Sequence, residues 1–80
     1  MSAVRKRSIA IRGHRTSYSL EQAFQNQIER IAAERGMTLA ALIAEIDETR
    51  ARQTNLSSAL RLYVLERLLK EAGRIPVNTV

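Results

Sequence analysis

The 80-residue sequence contains no cysteine, which excludes disulfide bonds and thiolate metal sites. It also has no long apolar run, so no segment is typical of a bilayer-spanning helix or a signal-peptide core. A chain this short forms one domain and buries a modest fraction of its surface when it folds alone, a limit that dimerisation commonly relieves. We therefore expect a single-domain, cytoplasmic protein that needs no cofactor.

Acidic residues are missing from the N-terminal quarter of the chain. Five of the 13 Lys and Arg residues precede the first acid, Glu21, and the remaining eight are balanced by the eight Asp and Glu residues. The whole formal net charge of +5 therefore lies in residues 1–14 and the residue that follows. Such a cluster indicates either a basic arm for a polyanion or a solubilising tail. We interpret residues 1–14 as a basic N-terminal arm.

A period of two follows the arm. From Arg15 to Leu20, side chains of strand-favouring type alternate with polar ones, which predicts a short half-buried β-strand. Its apolar face would contain Thr16, Tyr18 and Leu20, and its polar face Arg15, Ser17 and Ser19. The segment Ile9 to Ile11 could form another brief strand, ended by Gly13.

Three amphipathic helices are predicted after this strand. The first begins around Ser19 to Glu21, where Ser19 and Gln22 have the spacing of a capping box, and it ends at Gly36. Thr38 is the expected N-cap of the second helix. The third, from about residue 56 to residue 72, follows a polar linker in which Asn55 can act as the cap.

The strand needs a partner for its backbone donors and acceptors, and one chain offers at most the short segment near Ile9. Two copies could instead pair their strands antiparallel about a two-fold axis. Such a ribbon fits the DNA major groove, where Arg15 can bond bidentately to guanine and serine hydroxyls can bond several base edges. The first amides of the second helix, at Thr38 and Leu39, suit a phosphate.

The stretch RTSYSLEQAFQNQIERIAAERGMTLAALIAEI resembles the ribbon-helix-helix fold of the Arc and MetJ type repressors. With KRSIAIRGHRTSYSLE and NLSSALRLYVLERL included, the chain resembles a family of short bacterial ribbon-helix-helix proteins presumed to bind DNA, over roughly residues 6–69. The resemblance implies that Arg15, Ser17 and Ser19 read bases and that the start of the second helix grips phosphate. One departure is Glu21, an acid where many members have proline. In an alternative alignment, NLSSALRLYVLERL matches the second helix of the fold, which would make the third helix the core element.

These observations predict a mainly α fold with one short strand, a homodimer joined by an intersubunit antiparallel ribbon, and an additional C-terminal helix. Residues 15–52 would form the ribbon-helix-helix core, 53–73 the extra helix and 74–80 a flexible tail. The function expected is sequence-specific binding of double-stranded DNA by a transcriptional regulator, with a protein-interaction module or antitoxin as the alternative. No His or Lys is placed to activate a serine, and one histidine makes no metal site, so we expect no enzyme. The expected base contacts are Arg15, Ser17 and Ser19, and the expected phosphate contacts are Arg5, Lys6, Arg7, Arg12, His14, Thr38 and Leu39.

Overall fold

The computed structural model describes residues 3–73 and contains a two-stranded antiparallel sheet followed by three helices. The expected tail at 74–80 lies outside the described residues. The three predicted helices are confirmed, and the strand directly precedes the first two of them, as the first alignment requires. In chain order the elements are β1 (Val4–Ile11), β2 (His14–Glu21), α1 (Gln22–Glu34), α2 (Leu39–Thr49) and α3 (Leu56–Glu71).

The sheet is a hairpin within one chain, which corrects two expectations. Residues 4–11 form a full strand where we expected an arm, and β2 pairs with this strand where we expected the strand of a second subunit. The connection is the two-residue turn Arg12–Gly13, with positive φ at both residues (50° and 80°). Positive φ at both central positions is the type I′ geometry, whose twist matches that of paired strands. Gly13 therefore closes a hairpin, and the sequence contains two strands.

The start of α1 also differs from the capping box that the sequence predicts. Glu21 is the N-cap and makes no side-chain capping bond, because Ser19 still lies within β2. The other helix ends are as expected. Gly36 (φ 68°) ends α1, with its N–H and that of Met37 bonded to carbonyls of the last turn. Thr38 and Asn55 cap α2 and α3, accepting from Ala41 N–H (3.0 Å) and Ser58 N–H (2.8 Å).

One hydrophobic core joins all five elements. From the hairpin it takes Tyr18 and Leu20, whose inward orientation the period of two predicted. Helix α3 contributes fully buried Leu60 and Val64, so the segment we expected as an addition packs into the same core as residues 15–52. None of the helices in residues 3–73 has the length and apolar character needed to span a bilayer. The fully buried side chains of the core are Leu20, Ile28, Ile31, Leu42, Ile43, Leu60 and Val64.

Replacing Leu60 by Ala tests whether α3 is part of the core. Leu60 is 0% exposed, so the change removes buried apolar atoms and leaves a cavity, which should lower the free energy of unfolding by about 2–5 kcal/mol. The matched control is Leu62→Ala on the same helix, where the side chain is 52% exposed and the cost should stay within about 0.5 kcal/mol. Urea unfolding of the two variants measures both. Equal costs would mean that α3 does not pack as described.

Candidate nucleic-acid interface

The hairpin has one face turned away from the helices, here called the outer face. Directly opposed residues of an antiparallel pair project to the same side of the sheet. The register therefore places residues of β1 beside the three predicted base-contacting positions of β2. The cross-strand pairs of the outer face are Val4 with Glu21, Lys6 with Ser19, Ser8 with Ser17, and Ala10 with Arg15.

Lys6 thus lies on the same face as Arg15, whereas the sequence assigned it to an arm. Ser8 was missed altogether as a site residue. The signal that could have found both is the turn at Gly13, since a two-residue turn fixes which residue of the first strand opposes each residue of the second. Together the two strands present Lys6, Ser8, Arg15, Ser17 and Ser19 on one exposed or half-exposed surface.

The opposite face, the underside, is held on α1 by a chain of hydrogen bonds. The hydroxyl of buried Tyr18 donates to Gln25 Oε1 (2.9 Å), and Gln25 Nε2 donates to Glu29 Oε2 (2.8 Å). Burial raises the pKa of Tyr18, so the phenol stays a neutral donor. Arg7 lies across from Tyr18, half buried, and donates to Gln22 Oε1 (3.2 Å). The structure therefore places Arg7 on the underside, away from the outer face.

The tip of the hairpin is fixed to α2 by Arg12. Its guanidinium donates to the carbonyl oxygen of Ala44 (3.1 Å) and to Asp47 Oδ2 (2.9 Å). The pKa of Asp47 lies below its ordinary value, first because of the hydrogen bond from Arg50 and then because of the one from Arg12. Arg12 is thus an anchor within the chain as well as an expected phosphate contact. His14, at the start of β2 beside this tip, is exposed.

The acid at the other end of the outer face is compensated. Glu21 Oε1 accepts a hydrogen bond from Arg61 Nε of α3 (3.1 Å). The pKa of Glu21 is lowered by a hydrogen bond from its own backbone N–H and then by Arg61. Helix α3 also reaches the free edge of β2, where the Ser19 N–H donates to Ser57 Oγ (2.8 Å). The repulsion that Glu21 alone would exert on a polyanion is therefore reduced by a paired cation.

The remaining cations of the hairpin are not compensated. Within residues 3–73, ion pairs engage Arg12, Arg30, Arg35, Arg50, Arg61 and Arg67. Most of the Lys and Arg residues in this range that form no ion pair belong to the hairpin. These hairpin cations are Arg5, Lys6, Arg7 and Arg15. The positive potential of the molecule is thus concentrated on the hairpin.

Thr38 and Leu39, the expected phosphate contacts outside the hairpin, lie at the N-terminus of α2. Thr38 is exposed and its hydroxyl already caps the helix by accepting from Ala41 N–H. Helix geometry leaves the N–H groups of the first turn without intrahelical acceptors, which is the chemistry that suits an anion. No hydrogen bond among the described residues joins this helix end to the hairpin.

A hairpin with a basic outer face, carried on three helices, defines a small nucleic-acid-binding class of fold. Comparison with protein families matches residues 4–68 to the ribbon-helix-helix domain, and the chain belongs to this family. Members of the family are DNA-binding regulators without enzymatic activity. The expectation of a ribbon-helix-helix family member is thereby confirmed.

Among solved structures, the chain is similar to an uncharacterized protein from Bordetella pertussis Tohama I. The two are 38% identical, the match covers 99% of this chain and 68% of the other, and the TM-score is 0.71. No curated protein matches the chain.

Replacing Asp47 by Asn tests the anchor between the hairpin tip and α2. Because the folded-state pKa of Asp47 lies below its ordinary value of 3.8, its stabilisation is present above that pH and is lost as the pH falls through the folded pKa. At neutral pH the variant should be less stable by roughly 0.5–1 kcal/mol, after allowance for solvent screening. The difference should vanish in acid. Urea unfolding across this pH range measures it, with Glu48→Gln on the exposed side of α2 as the control. A constant difference at all pH values would contradict the assignment.

Proposed function

We propose that this chain binds double-stranded DNA with sequence preference, as a homodimer, and regulates transcription. The outer face of the hairpin enters the major groove. The single observation that carries this proposal is the concentration of uncompensated cations on the hairpin while the body of the molecule neutralises most of its own charge. A polyanion is the partner that such a distribution attracts.

Base readout falls to Arg15, Ser17 and Ser19 on β2. Arg15 is the long member of the three, and its guanidinium matches the O6 and N7 acceptors of guanine. Lys6 and Ser8, opposite Ser19 and Ser17, widen the reading surface from one strand to two. Since a two-stranded ribbon fits the major groove, both strands of one chain can enter it together.

Phosphate contacts flank this surface. Arg5, exposed at the start of β1, and His14, exposed near the tip, are placed for the backbone of the duplex. Lys6 can reach a phosphate or a base edge from its position on the outer face. The first turn of α2, at Thr38 and Leu39, offers amides to a further phosphate. Arg7 and Arg12 contribute charge, since their side chains also bond within the chain.

A second candidate function is a protein-interaction module or antitoxin. It is favoured by α3, where Leu62 and Leu65 are 52% and 50% exposed beside the buried stripe of the same helix. Isolated exposed leucines are ordinary, whereas several on one helix face indicate a contact surface. An antitoxin can also repress its own promoter, so the two functions are compatible.

Replacing Arg15 by Ala is the sharpest test of readout. Duplexes selected from a random pool supply the preferred sequence, and fluorescence anisotropy then measures affinity for it and for a scrambled duplex. Arg15→Ala should weaken the preferred duplex by about 1–3 kcal/mol and the scrambled one much less. The matched control is Arg52→Ala, which removes an exposed arginine outside the hairpin and should leave both affinities nearly unchanged. Equal losses on the two duplexes would show that Arg15 contacts only the backbone.

The salt dependence of the same titration tests the electrostatic part. Affinity should fall steeply with salt, and Lys6→Ala should lower the slope of log K against log salt by about one if it contacts a phosphate. No binding to any duplex at low salt would overturn the proposed function.

A further inference from the structure

Helix α3 has two apolar faces, and the core covers only one. Leu56, Leu60 and Val64 point into the protein. The other face has four leucines, between 38% and 52% exposed, in the second half of the helix. This leucine face consists of Leu62, Leu65, Leu68 and Leu69.

The edges of the hairpin are poor sites for a second copy. At the free edge of β2, the Ser19 N–H already donates to Ser57 Oγ and the Ser19 carbonyl oxygen accepts from Arg61 Nη2 (3.5 Å). Antiparallel pairing of β1 with its own copy would crowd Arg5, Lys6 and Arg7 against the same three cations. Like charges at an edge oppose strand pairing. A symmetric dimer therefore needs a surface outside the sheet.

The leucine face has the pattern of a self-complementary helix pair. Leu62, Leu65 and Leu69 are spaced by three and four residues, as in the seam of a coiled coil. In a parallel pair in that register, Arg61 and Glu66 flank the seam on opposite sides, five residues apart. This is the separation at which a residue on one helix meets an oppositely charged residue on the other. Glu66 is exposed and forms no ion pair with any residue in the range 3–73.

Arg61 has donors to spare for such a contact. Its Nε bonds to Glu21 and its Nη2 to the Ser19 carbonyl oxygen, which leaves part of the guanidinium fork for a second carboxylate. Its side chain is 33% exposed. A cation from each chain can therefore meet Glu66 of the other without giving up Glu21.

We propose that the leucine face of α3 is the homodimer interface, packing in parallel on the same face of a second copy, with Arg61 and Glu66 paired across the two-fold axis. This inference rests on the proposed homodimer and names its surface. Since the N-terminal part of α3 bonds the end of β2, parallel packing brings both hairpins to the same end of the dimer. Two hairpins at one end can contact one duplex, whereas antiparallel packing would put them at opposite ends.

Sedimentation equilibrium of the full chain without DNA, over a wide concentration range, tests the interface. The wild-type chain should move from the mass of one chain to that of two. Leu65→Ser should weaken this association by about tenfold or more, because each dimer loses two buried leucines. Val4→Ser, which changes an equally exposed apolar residue on the hairpin, should leave it unchanged. Circular dichroism checks that both variants keep the fold.

Charge reversal tests the pairing. Glu66→Lys should weaken the dimer by more than Glu48→Lys, which makes the same change on an exposed residue of α2. Ser17→Pro removes an N–H from the free edge of β2 and should not affect the dimer. Loss of the dimer in Ser17→Pro with retention in Leu65→Ser would overturn the inference in favour of strand pairing. A wild-type chain that stays monomeric at every concentration would also overturn it and would leave the leucine face to another protein.

DNA titration of the same variants separates the two proposals. Arg15→Ala should dimerise normally and bind its preferred duplex weakly, whereas Leu65→Ser should bind DNA with lower affinity and without cooperation between two chains. DNA binding that survives unchanged in Leu65→Ser would refute the interface and keep the proposed function.

Discussion

The pairing of β1 with β2 is the interaction on which the rest of the structure depends. It satisfies the backbone of both strands within one chain, and the turn at Arg12 and Gly13 sets its register. From that register follow the two faces of the hairpin. Tyr18 and Leu20 are directed into the core, and Arg15, Ser17 and Lys6 away from it. A shift of one residue would exchange the faces and bury the polar side chains.

Helix α3 completes what the hairpin and the first two helices leave open. Its buried stripe fills the core through Leu60 and Val64, and its N-terminal part bonds the free edge of β2 through Ser57 and Arg61. A small domain gains much from this, because its surface is large relative to its volume. Covering one sheet edge from within the chain also moves any contact between copies to another surface. The leucine face of the same helix is the largest exposed apolar feature among the described residues.

Charge is distributed in a way that separates folding from binding. The helices carry ion pairs such as Arg30 with Glu34 and Arg35 with Glu45, which are exposed and contribute little to stability. Their effect is to leave the body nearly neutral. The hairpin keeps most of its cations uncompensated, and Glu21, its acid, is paired with Arg61. In a ribbon-helix-helix protein this arrangement gives a DNA-facing surface whose field is not cancelled by the helices behind it.

The sequence by itself determined the helices, their caps at Thr38 and Asn55, the glycine stop at Gly36 and the inward face of β2, because these follow from local periodicity and from single side chains bonding nearby amides. It also determined the family and the place of the excess charge. The partner of β2 was decided only by tertiary structure, because the strand character of residues 4–8 is masked by three consecutive cations whose role depends on what lies opposite. The same holds for α3, whose two leucine-rich faces look alike in sequence. Only packing against α1, α2 and β2 distinguishes the face that is buried from the face that is left for a partner.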